Sequence, residues 1–143
     1  MKIRNYTSTV PVERTVSRIE EELVKVGATH IEKKYEKSEL KGIIFSIDIG
    51  QKISFKIPAQ IEASYEIIRQ IKEYKGRNKD WLIAQSKRTA WRLIYDWIQI
   101  QVAMIQLKQA DAMQVFLPYA YNPKTEKTIY QSMQGNNFKL LTE

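Results

Sequence analysis

Seven basic side chains, Lys72, Lys75, Arg77, Lys79, Lys87, Arg88 and Arg92, fall within 21 residues that hold only two acids, Glu73 and Asp80. That stretch carries a local balance of +5 out of a formal net charge of +7, and the pI is near 9.5. Guanidinium and ammonium groups at this density make charge-assisted hydrogen bonds to phosphate. Trp81 stands among them, and an aromatic face beside cations is how single-stranded nucleic acid and nucleotides are held. The pattern marks Arg77, Lys79, Lys87, Arg88 and Arg92 as candidate phosphate contacts and Trp81 as a candidate stacking platform. The same residues also suit a plain solvated face with the indole packed into the core.

Catalytic chemistry finds little footing. The chain has no cysteine, which removes thiol nucleophiles, disulfides and cysteine-based zinc sites, and its single histidine removes multi-histidine metal sites. Glycines at 27, 42, 50, 76 and 135 are too sparse for a phosphate-cradling loop or a dinucleotide fingerprint. His30 opens a predicted strand with no serine or carboxylate pattern around it and reads as a surface histidine. Asp96 is the oddity, a carboxylate on an otherwise apolar helix four residues after Arg92. Because a buried carboxylate is costly unless paired, Arg92 or another cation should accompany it. No catalytic residue, metal or cofactor is expected, and the chain reads as non-enzymatic.

These residues need elements to position them. After Pro11, the apolar residues Val12, Val16, Ile19, Leu23 and Val26 recur at helical spacing up to Gly27, which predicts a first amphipathic helix. The period then changes to two. Ile31 and Tyr35, then Ile43, Phe45, Ile47 and Ile49, then Ile53, Phe55 and Ile57 predict three strands with one core face. The other face, with His30, Glu32, Lys34, Ser46, Asp48, Lys52, Ser54 and Lys56, should be wet. Gly50-Gln51 suits a tight turn, and Gly42 ends a looser connection. Pro58 closes the third strand, and a second helix is expected from about 60 to 75, burying Ile61, Tyr65 and Ile68 with Ile71.

A long helix follows from Asp80, its predicted N-cap, to Ala110 and contains all three tryptophans. Two apolar seams run side by side along it. One joins Ala90, Leu93, Trp97, Ile100, Met104 and Leu107, the other Trp91, Ile94, Ile98, Val102 and Ile105, with Gln85, Arg92, Asp96, Gln99 and Gln106 as a narrow polar edge. So wide an apolar surface predicts a homo-oligomer through Leu93, Trp97, Ile100, Met104 and Leu107. A short helix then runs into Phe116-Leu117-Pro118, Tyr119 to Pro123 form a loop, and a weak helix runs from Thr125 to Gln134.

The expected architecture is α+β: a three-stranded antiparallel sheet covered by helices, followed by the long tryptophan-rich helix and short C-terminal helices. A single domain spans 1–143, with a helix–sheet–helix part over 1–75 and a helical part over 76–143. The N-terminus lacks the apolar core of a signal peptide, and no stretch is apolar enough to span a bilayer, so a cytoplasmic location without membrane contact is expected.

Over residues 11–75 the order helix, three strands, helix is similar to that of double-stranded RNA-binding domains. Those domains grip phosphates with lysines at the start of their second helix. Here that position reads Pro58-Ala59-Gln60-Ile61-Glu62, with no cation. A closer resemblance lies in NYTSTVPVERT at 5–15, AWRLIYDWIQIQ at 90–101 and QVFLPYAY at 114–121. These segments resemble a family of small bacteriophage- and prophage-encoded proteins that usually carry no assigned activity. The resemblance implies a host bacterial cytoplasm as the setting and transfers no functional residues. The function expected is a counter-defence or host-takeover inhibitor that binds a host protein or sequesters a phosphate-bearing nucleotide. The alternatives are a nucleic-acid-binding accessory of phage replication or recombination and a purely structural oligomer.

Overall fold

Helix α1, Val12–Lys25, opens directly behind Pro11, whose carbonyl accepts the N–H groups of Arg14 and Thr15 at 3.1 and 3.2 Å. Its inner face is Thr15, Val16, Ile19 and Leu23, all buried. It stops where Gly27 takes φ +98°, a conformation open to a residue without Cβ. The protein is described here by a computed structural model over residues 2–142, and its architecture is α+β.

Strands β1 (Ala28–Glu36), β2 (Glu39–Asp48) and β3 (Lys52–Pro58) form an antiparallel sheet in that order. The register sets Ile31 beside Phe45 and Phe45 beside Phe55, with Ile43 facing Ile57 and Ile47 facing Ile53. One face is thereby apolar, as the period-two pattern predicts. The β2–β3 turn lies at Gly50 (φ +102°), whose N–H donates to Asp48 Oδ1 at 2.9 Å.

The β1–β2 connection differs from the expectation. It is a two-residue turn of Lys37 and Ser38, both at positive φ (+50° and +67°), the geometry that matches strand twist. Gly42 lies inside β2, where a Cβ would meet Ile57 O at 2.9 Å. Tyr35 and Ile49, expected in the core, are 59% and 55% exposed. Tyr35 follows a register shift after Lys34, and Ile49 lies beyond the last pair, Asp48 with Lys52.

Helix α2 covers Ile61–Ile68 only, and Lys72–Tyr74 form a separate 3-10 turn. Ile61, Ile68 and Ile71 are buried as expected, while Tyr65 is half-buried. Helix α3 runs Lys79–Gln106. Its cap is Asn78 instead of Asp80: Asn78 Oδ1 accepts the Trp81 N–H at 2.8 Å, and Asp80 sits in the first turn, where a carboxylate favours the helix dipole.

Beyond it come α4 (Ala112–Phe116), a two-residue hairpin of β4 (Tyr121–Asn122) and β5 (Lys127–Thr128), and α5 (Ile129–Gly135). The hairpin replaces the start of the helix expected from Thr125. Thr128 and Gln131 form a reciprocal capping box, which fixes the helix start at Ile129.

Contacts divide the chain into two compact units. One takes the chain up to Glu22 with Ala59–Ile100, the other Leu23–Pro58 with the chain from Gln101 onward. In the first, Ile68, Ile71 and Leu82 form a buried cluster flanked by Ile3, Tyr6, Tyr65, Tyr74 and Trp81. In the second, Phe45 and Phe55 stack at 5.2 Å between centroids, and Phe116 meets Phe45 edge-on at 5.2 Å. Among the described residues no helix is long and apolar enough to cross a membrane.

Candidate functional site

Helix α3 buries different sides along its length. Up to Thr89 the buried residues are Leu82, Gln85, Ser86 and Thr89; from Trp91 they are Trp91, Tyr95, Ile98 and Val102. At about 100° per residue these two sets lie on nearly opposite sides of the helix. The two seams of the sequence run side by side beyond that change of face, and they are not buried alike. The seam with Trp91, Ile98 and Val102 is core. On the other, Leu93, Trp97 and Met104 are half-buried, Ile100 is 56% exposed and Leu107 77% exposed.

The N-terminal segment lies along the first part of α3 and is held by side chains. Gln85, placed on the polar edge by its sequence position, is buried, and its Nε2 donates to Tyr6 O at 2.8 Å and Ser8 O at 2.9 Å. Thr89 Oγ1 donates to Asn5 O at 3.0 Å, and Tyr74 Oη to Tyr6 O at 2.8 Å. Asp96 closes the far end, where its Oδ2 accepts from Asn5 Nδ2 at 2.8 Å and Arg4 Nε at 2.9 Å. Arg92 Nε stands 3.8 Å from Oδ1, so the cation partner expected at Arg92 is present and Arg4 is the closer one. Burial pushes the Asp96 carboxyl up, but the hydrogen bonds from Asn5 and Arg4 and the charges of Arg4 and Arg92 outweigh it and hold it below the usual carboxylate range. Asp96 is a fixed anion of the scaffold.

This scaffold sorts the candidate phosphate contacts. Trp81, Arg88 and Arg92 recur at steps of seven and four on one stripe of α3, and Arg77 reaches the same stripe by standing 4.5 Å over the Trp81 ring. Tyr74 meets the same indole edge-on at 4.8 Å. Burial raises the Tyr74 phenol above its usual range, and Arg77 and Arg88 both pull against that shift, which puts the two guanidiniums in electrostatic reach of one hydroxyl. Gln85 Oε1 accepts from Arg88 Nε at 3.0 Å and Nη2 at 2.6 Å, so a neutral partner orients the guanidinium without cancelling its charge. Arg92 stacks over Tyr95 at 4.7 Å. Lys79 and Lys87 lie roughly 100° or more round the helix and are not part of the stripe. Trp81 thus serves as a platform for Arg77, with that face of the ring already covered.

The second unit contains a feature that the strand pattern does not announce. The outer face of the sheet carries Ile44 and Ser46, and both are buried (8% and 4% exposed), although Ser46 should be wet. The chain after Phe116 wraps the β3 edge: Phe116 packs on the apolar face, Ala120 bridges Phe55, and Tyr121 and Pro123 come to lie over the opposite face. Between them and β1 is a cavity of about 490 Å³, and a second of about 550 Å³ adjoins it, with Lys52, Ser54, Tyr121 and Pro123 lining both. The signal that could have found this roof is QVFLPYAY, an aromatic- and proline-marked stretch too apolar for a plain loop.

No family model matches the chain, and neither a curated protein nor a solved structure does.

Proposed function

We propose that the protein is a phage-encoded, non-enzymatic binding protein that sequesters a phosphate-bearing ligand in counter-defence, and that the ligand on the arginine stripe is a single nucleic-acid strand. The observation that carries this reading is the alignment of Arg77, Arg88 and Arg92 along about 16 Å of helix axis, more than one phosphate can span. A strand presents a charge every few ångströms and can meet all three. Asp96 is the one carboxylate on that stripe of α3; Arg4 and Asn5 hold one of its oxygens at 2.9 and 2.8 Å, and Arg92 stands 3.8 Å from the other, so Arg77 and Arg88 are the stripe cations with no carboxylate beside them among the described residues. Arginine forks match phosphate oxygens two at a time, and Arg77 and Arg88 are pre-oriented by Trp81 and Gln85, which lowers the ordering cost of binding.

The test is native mass spectrometry of protein purified from bacterial lysate, beside a sample treated with nuclease and high salt. A heterogeneous nucleic-acid mass that disappears on treatment supports the reading. Protein free of nucleic acid before treatment contradicts it.

The same reading includes a second copy of the chain, docked through the face that carries Leu93, Trp97 and Ile100. Its support is the 56% exposure of Ile100 on a helix otherwise rich in buried apolar side chains.

A further inference from the structure

We propose that the roofed outer face of the sheet is a binding site for a small nucleotide, separate from the arginine stripe and formed by residues of the second unit alone. Three lysines line the two adjoining cavities, Lys34 in one, Lys127 in the other and Lys52 in both, and none of them has a carboxylate partner among the described residues. Glu32 is the one carboxylate in the lining. Three lysines against one glutamate leave the lining with an excess of positive charge, which suits a ligand bearing phosphate.

The remainder of the lining fits the rest of a nucleotide. Tyr121 projects between the two cavities, with Lys56 Nζ 5.4 Å from its ring centroid, and an aromatic ring of this kind accepts a base by stacking. Ile44, on the same face as Ser46, supplies apolar wall. Ser46 Oγ and Ser54 Oγ lie 3.0 Å apart across the β2–β3 pair. A hydroxyl pair that shares one hydrogen keeps a second donor for a ribose hydroxyl or a base edge. Volumes of about 490 and 550 Å³ fall in the range of small-ligand sites. The chain has no glycine-rich loop there, so lysine side chains supply the phosphate contacts, as point charges.

Titration of the full-length protein with AMP and with ADP, followed by amide chemical shifts and calorimetry, tests this. Saturable binding is expected, with shifts at Ser46, Ser54 and Tyr121 and a larger affinity for ADP. Lys52→Ala, at an exposed position that leaves the sheet intact, should weaken binding about tenfold, the size of one lost charge-assisted contact. Tyr121→Ala should weaken AMP and leave inorganic phosphate unchanged. The amide signals of Arg88 and Arg92 should stay in place at AMP saturation, which separates this site from the stripe. No saturation, inorganic phosphate binding as tightly as AMP, or shifts confined to α3 would overturn the proposal.

Discussion

Asn5 Nδ2 and Asp96 Oδ2 meet at 2.8 Å across 91 positions of sequence and join the start of the chain to the middle of α3. With Arg4 on the same oxygen, the pair makes Asp96 the anchor of the N-terminal segment. Replacing Asp96 by Asn leaves Arg4 and Arg92 without their anion, and a loss of about 1–3 kcal/mol is expected in urea unfolding at neutral pH. The sign of the pH dependence follows from the lowered carboxyl. The contribution of Asp96 is complete above the unfolded carboxylate value of about 4 and disappears as pH falls through the lower folded one. The Asp96→Asn protein should therefore lose less stability on acidification than the parent, and equal acid sensitivity of the two would refute this role.

Gln85→Glu separates shape from donation. The carboxylate keeps the outline and still accepts from Arg88, but it cannot donate to the Tyr6 and Ser8 carbonyls. Ser8 O then loses its partner and Tyr6 O keeps only the Tyr74 hydroxyl, and a cost of about 2 kcal/mol is expected. A thermal midpoint unchanged from the parent would show that the segment is held by other means.

Two glycines should respond differently to alanine. At Gly42 a Cβ would stand 2.9 Å from Ile57 O and 3.3 Å from Pro58 Cα, so β2 and β3 must part locally, at a cost of about 1–3 kcal/mol. At Gly50 nothing lies within 4 Å and only the φ of +102° opposes the change, at about 1 kcal/mol. Urea midpoints of the two variants should rank in that order.

The proposed pairing of copies makes a numerical prediction. Light scattering at micromolar concentration should return about twice the 16.8 kDa of one chain, and Ile100→Asp should return the single mass. A parent protein at the single mass would remove the dimer while leaving both binding sites standing.

Where residue type and local period decide structure, the sequence was enough. The α1 stripe with Gly27, the β2–β3 hairpin at Gly50 and the cation beside Asp96 are all legible that way. Long-range partners are not. Gln85 looks like an exposed helix residue until Tyr6 and Ser8 carbonyls arrive over it, and Ser46 looks wet until Tyr121 and Pro123 roof it. The hairpin from Tyr121 to Thr128 has strands of two residues each, too short to show a period of two. Lys37-Ser38 forms its turn without the glycine or asparagine that usually marks one. Of the candidate phosphate contacts, density alone grouped Lys79 and Lys87 with the arginines, and helix geometry separates them.

The most direct test of the arginine stripe is the affinity of a fluorescently labelled single-stranded oligonucleotide, measured by anisotropy between 50 and 200 mM salt. Three arginine–phosphate contacts predict a log–log slope of about −2, a loss of roughly fifteenfold over that range, and Arg88→Ala should reduce the slope by about 0.7. A flat salt dependence, or a slope that Arg77→Ala and Arg88→Ala leave unchanged, would contradict a nucleic-acid strand on this helix.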